Sequence, residues 1–133
     1  MNILFYLIPK KDVYYLLDTH TLRQALEKME YHHYSCIPIL DKEGNYISSI
    51  SDGDLLWYIK ANNLDIRSVE HVQIKDIPSS RPILPIKIDA DIDELSVLIT
   101  NQNFVPVIDD RNKFIGIITR QVVIKELCKR AKI

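Results

Sequence analysis

Two short stretches of this chain carry side chains suited to holding a ligand. In Ser51-Asp52-Gly53-Asp54 a hydroxyl and a carboxylate stand three positions apart. Ser51 follows an apolar run and is placed to open a helix, where unpaired backbone N–H groups favour an anion such as phosphate. The Asp54 carboxylate can accept two hydroxyl hydrogen bonds at once. Thr119-Arg120 repeats the hydroxyl and adds a planar guanidinium suited to phosphate. Phe104 offers an apolar face to a flat ring. The same residues have plainer uses. Ser51-x-x-Asp54 is also a capping box, in which the acid reaches back to the cap N–H, and Thr119 is a good N-cap. Phe104 and Cys36 flank apolar runs and suit a core, and Arg120 suits solvent or an acidic partner. Capping and ligand binding are compatible.

The elements that must position these residues occur twice. Ile37-Pro38-Ile39-Leu40-Asp41 returns as Val105-Pro106-Val107-Ile108-Asp109, 68 positions later. The same offset lays Tyr46–Ser51 on Phe114–Thr119. Internal repetition takes precedence over every other pattern when the fold is inferred. Before each run stands an apolar helical stripe, Leu22, Ala25, Leu26 and Met29 in one copy and Ile92, Leu95 and Ile99 in the other. Thr21 and Asp91 are their N-caps. Polar turns with Gly44 and Asn112, both tolerant of positive φ, join each apolar run to a second strand, giving two hairpins. A closing helix follows each, lined by Leu55, Leu56 and Ile59 and by Val123, Ile124, Leu127 and Cys128. Leading strands are expected at Val13–Leu17 and Ile86–Ile88, and a short helix at Ile74–Ile77. The predicted fold class is α/β (α+β), two β-α-β-β-α units spanning 1–72 and 73–133.

Composition bounds the function. A unit of this size is marginal alone, so two together make the domain. Net charge is −1, so no basic field draws nucleic acid or an anionic membrane. Cys36 and Cys128 make no disulfide framework and point to a reducing, cytoplasmic setting. The apolar run Ile3–Ile8 is too short to span a bilayer and is expected to dock on the core. No glycine-rich phosphate loop and no nucleophile–base constellation supports an enzyme. His32-His33 lacks companion ligands at metal spacing, so no metal site is expected. Trp57 and Tyr58 suit packing or a dimer contact better than base stacking.

The repeated motif resembles the CBS domain, which normally occurs as a tandem pair, the Bateman module. The residues that carry the resemblance are Tyr34-Ser35-Cys36-Ile37-Pro38 with Ser48-Ser49-Ile50-Ser51-Asp52-Gly53-Asp54, and Gln102-Asn103-Phe104-Val105-Pro106 with Gly116-Ile117-Ile118-Thr119-Arg120-Gln121-Val122. The resemblance implies two units about a pseudo-twofold axis with adenosine-containing ligands in two clefts, and no catalytic cofactor. It assigns Ser51, Asp54, Gln102, Asn103 and Phe104 to one cleft. It assigns Tyr34, Ser35, Cys36, Thr119 and Arg120 to the other, where Val122 replaces the family's ribose-binding Asp. The stretch Phe114–Leu127 is also similar to stand-alone bacterial CBS proteins that bind cyclic di-AMP. Those carry a second Arg where this chain has Gln121; Lys10 or Lys11 is the alternative source of charge. The implied function is a non-enzymatic sensor of AMP, ADP, ATP or cyclic di-AMP, working through an unknown protein effector. The alternative is an interaction scaffold with no ligand. CBS pairs also form disc-like homodimers, and helices bearing Leu55, Tyr58 and Leu127 are the expected surface.

Overall fold

The computed structural model describes residues 2–132; residues 1 and 133, which begin and end the two sequence copies, lie outside it. Seven strands and four α-helices follow one another as β1 (Ile8–Pro9), β2 (Leu16–Leu17), α1 (Leu22–His32), β3 (Cys36–Leu40), β4 (Tyr46–Ser51), α2 (Asp52–Ala61), β5 (Ile86–Lys87), α3 (Ile92–Asn101), β6 (Phe104–Ile108), β7 (Phe114–Thr119) and α4 (Arg120–Ala131). The expected strand-helix-strand-strand-helix order therefore occurs twice. Short 3-10 turns at Ile3–Tyr6, Lys10–Asp12, Ser68–Glu70 and Ile74–Asp76 connect them.

The chain divides into two compact units. The first unit is Tyr14–Pro82. Its sheet runs β2-β3-β4, with β2 parallel and β4 antiparallel to β3. Its core buries Leu22, Ala25 and Met29 of the α1 stripe against Ile37, Ile39, Ile50 and Leu55. α1 starts where the sequence places it: Thr21 and Gln24 form a capping box. It stops at His33, which takes the left-handed conformation at φ 58° while Tyr34 N–H donates to the Met29 carbonyl. A non-glycine residue fills that role less often than glycine, but the bond it closes satisfies an otherwise unpaired carbonyl.

The second unit joins Met1–Val13 to Ile83–Ile133. Its sheet runs β1-β7-β6-β5, so it has one strand more than its counterpart. Ile3 and Tyr6 enter its core beside Leu95, Ile99, Val105, Val107 and Ile118. The docking expected of Ile3–Ile8 is thus real, and its receptor is the sheet of the later copy. The compact units and the sequence copies 1–72 and 73–133 are cut differently for that reason.

The hairpins repeat in detail. Gly44 and Asn112 both adopt positive φ, 87° and 67°. Asp41 and Asp109 each accept from two backbone N–H groups of their own turn. A register irregularity falls between Ile39 and Leu40 and again between Val107 and Ile108, 68 positions on.

Candidate functional site

In the first unit, β4 hands directly to α2 at Ser51. Ser51 Oγ accepts from the Asp54 N–H at 3.1 Å, and Asp54 Oδ2 accepts from the Ser51 N–H at 2.9 Å. The capping box read in the sequence is complete. The other carboxylate oxygen is used as well: Asp54 Oδ1 accepts from the Ser80 N–H at 2.9 Å. Neighbouring Ser79 donates its hydroxyl to the Ser49 carbonyl at 2.8 Å. Asp54 is only 6% exposed. Burial alone would raise its pKa, but the hydrogen bonds from Ser80 and Ser51 outweigh it and hold the carboxyl below its ordinary value.

Tyr34, Ser35 and Cys36 lie beside that junction. Cys36 stands opposite Ser51 in the β3–β4 register, and Asp52 N–H donates to the Ser35 carbonyl at 2.9 Å. Burial, and after it the Asp54 and Asp52 charges, push the Cys36 thiol up to about 11, so it is a neutral group at physiological pH. Tyr34 joins a small aromatic cluster: its ring centroid lies 5.8 Å from Tyr14 and 5.5 Å from His32, and His32 stacks on Tyr14 at 3.7 Å.

The second unit builds the matching junction from β6, β7 and α4. Phe104 pairs with Thr119 in register. Thr119 Oγ1 accepts from the Val122 N–H at 3.2 Å, and with valine at 122 no acid completes the box. Asn103 is bound twice to Arg120: its carbonyl accepts from the Arg120 N–H at 2.8 Å and its Oδ1 from a terminal guanidinium N–H at 2.9 Å. The Arg120 guanidinium also donates to the Ile99 and Thr100 carbonyls at 2.9 and 3.3 Å. These belong to the last turn of α3, where unpaired carbonyls welcome a cation. Phe104 is 9% exposed and belongs to the apolar interior. Gln102, 7% exposed, spends its amide on the chain: it donates to the Leu84 and Phe104 carbonyls and accepts from the Leu84 N–H.

Each unit therefore gathers, within itself, the strand-start and helix-start residues that the resemblance had distributed over different clefts. Sequence reasoning missed Ser79, Ser80 and Leu84 as partners of these residues. The bond from Ser80 spans 26 positions, and backbone donors leave no mark in residue type. Leu55, expected at a dimer surface, is fully buried in the first core, because its position faces β4 rather than solvent. Leu127 is 56% exposed. Among the described residues no group of three or more His, Cys, Asp or Glu is arranged to hold a metal, and no helix is long and apolar enough to cross a membrane.

Comparison with known proteins agrees with the architecture. The CBS domain family model matches residues 7–61 and 74–129. A crystal structure of CbpB in complex with c-di-AMP is similar, with TM-score 0.88 and 29% identity over 97% of this chain and 85% of that one. CbpB from Streptococcus agalactiae is similar at TM-score 0.83 and 30% identity, over 94% of this chain and 78% of that one. Among curated proteins, an inosine-5'-monophosphate dehydrogenase of Methanocaldococcus jannaschii is 29% identical over 117 residues. An uncharacterized protein of Methanopyrus kandleri is 24% identical over 120 residues. The chain spans 59% of the Methanopyrus protein and 22% of the dehydrogenase, so the latter is matched in only a part of its length. With two matches in tandem over most of its length and a structure to fit, the chain belongs to the CBS domain family.

Proposed function

We propose that this chain is a non-enzymatic regulatory module that senses an adenine nucleotide, with cyclic di-AMP first in the class and AMP, ADP and ATP behind it. The observation that carries the reading is its likeness, over 97% of its length, to a CBS protein crystallised with cyclic di-AMP. The local geometry supports it. Three of the five N–H groups of Arg120 are engaged by the bonds described above, which fixes the guanidinium in place and leaves donors for a phosphate. A cation already held needs little further ordering on binding. Lys10 and Lys11 belong to the same unit, in the 3-10 turn that follows β1. Asp54 accepts one N–H on each oxygen and retains lone pairs for ribose hydroxyls. In this proposal Ser51 and Thr119 serve the phosphate, Asp54 the ribose, and Tyr34, Ser35, Cys36, Gln102, Asn103 and Phe104 flank the ligand. The module acts as a homodimer in the cytoplasm and signals to a protein effector.

A second reading has one observation in its favour. Asp54, Gln102, Thr119 and Arg120 all have partners within the chain, as an interaction scaffold without a ligand requires. Thermal unfolding with each nucleotide in turn separates the two. At a hundredfold excess over its Kd a ligand adds about 2.7 kcal/mol to stability and raises Tm accordingly. A rise with an adenine nucleotide supports the sensor; no rise with any of the four at millimolar concentration leaves the scaffold.

A further inference from the structure

Each unit carries an apolar groove along its helices, and the two grooves are opposite in charge. The groove of the first unit, about 540 Å³, runs beside α1 and α2. Leu26 and Ile66, 36% and 87% exposed, lie in it. Four carboxylates line it, Glu27, Glu30, Asp65 and Glu70, against one cation. That cation, Arg23, is held between Glu27 and Glu70 at 3.0 and 3.2 Å. The groove of the second unit, about 650 Å³, lies between α3 and α4, with Ile124 and Leu127 half exposed in it. Its charged lining, among the described residues, is Arg120 and Arg130 with no carboxylate. Glu126 pairs with Arg130 at 3.0 Å from outside that lining.

We propose that the acidic groove of one copy of this chain seats against the basic groove of another copy. Exposed leucine and isoleucine side chains gathered in a groove mark an interaction surface. Every copy carries one groove of each sign, so a second copy supplies the complement in equal number. Pairing like with like would instead bring two sets of four carboxylates together, which is disfavoured at an interface. Single exposed ion pairs contribute little, so the apolar surfaces supply most of the affinity and the charges select which groove meets which. Nothing in this pairing depends on a nucleotide, so it stands or falls independently of the sensor reading.

The test is sedimentation equilibrium on the full chain and on two charge-reversed variants. Glu30→Lys with Glu70→Lys makes the first groove basic, so both grooves of that variant repel. Arg130→Glu removes the basic character of the second groove, so both grooves of that variant are acidic or neutral. Circular dichroism establishes that each variant is folded. Each variant alone is expected to self-associate about tenfold more weakly than the unaltered chain. An equimolar mixture of the two is expected to regain association, because each supplies the sign the other lacks. Three results overturn the proposal: an unaltered chain that stays monomeric at millimolar concentration, variants that associate as well as the unaltered chain, or a mixture no stronger than its components.

Discussion

Asp54 closes two structural bonds with one carboxylate, to its own helix cap and to a segment 26 residues downstream. Asp54→Ala removes both. Loss of the cap costs about 1 kcal/mol, and leaving a polar partner unsatisfied about 1–3 kcal/mol more; urea unfolding should therefore register a loss of about 2–4 kcal/mol. The native pKa lies below the unfolded value, about 3.9. The stabilisation is then complete above that value and lost as pH falls through the lower native pKa. Against Asp54→Asn, the stability gap should be constant from pH 7 to 5 and narrow below pH ~4. A gap that stays the same down to pH 2 means the charge is not the source. Cys36 behaves oppositely, because burial keeps its thiol protonated up to about pH 11. Its alkylation by iodoacetamide, followed by mass spectrometry, should stay slow at pH 8 and accelerate steeply toward pH 11. Rapid labelling at pH 8 would contradict a neutral, buried thiol.

At the scale of elements, β1 against β7 is the contact on which the extra strand depends. Gly116 sits at φ 153°, and a Cβ there would meet the Ile8 carbonyl oxygen at 2.2 Å. Gly116→Ala must push β1 away and adopt a conformation that side chains resist, at about 3 kcal/mol. Its counterpart at offset 68, Ser48, faces no such strand, and Ser48→Ala should cost under about 0.5 kcal/mol. Comparable melting temperatures for the two variants would show that β1 does not need the glycine. The contrast also explains what the sequence makes legible. Helix stripes, caps and hairpin turns are local patterns, and α1, α3 and both hairpins lie where periodicity and Gly44 and Asn112 put them. The partner of Ile3–Ile8 is set by shape complementarity more than a hundred residues away, and nothing in that run names β7. The candidate site divides the same way. Ser51, Asp54 and Thr119 announce their caps through side-chain type and spacing. Gln102 and Arg120 bond to backbone carbonyls, and a carbonyl has no letter in the sequence.

For the whole molecule, the consequence is that the N-terminal segment stabilises the later half of the chain. Ile3 is fully buried and Tyr6 is 4% exposed in the second core. Burying a side chain the size of Ile3 contributes about 1.5–3 kcal/mol, a large share of the stability a unit of this size can hold. The first core, by contrast, contains no residue before Leu16. Removing residues 2–13 should therefore act selectively. Amide hydrogen exchange of the shortened chain should show protection lost across β6, β7 and α4. Protection in β3 and β4 should persist, since their pairing and packing are untouched. Equal loss in both hairpins would mean that the two units unfold as one cooperative body, and unchanged protection in β7 would mean that the docked segment stabilises nothing. Selective loss has a further meaning for regulation. Lys10 and Lys11 lie on this same segment, so whatever displaces β1 also removes two cations from the unit that holds Arg120. In the intact chain a bound nucleotide that engages those cations should then slow exchange in β7 as well, and the size of that slowing would measure how strongly the segment and the ligand site are linked.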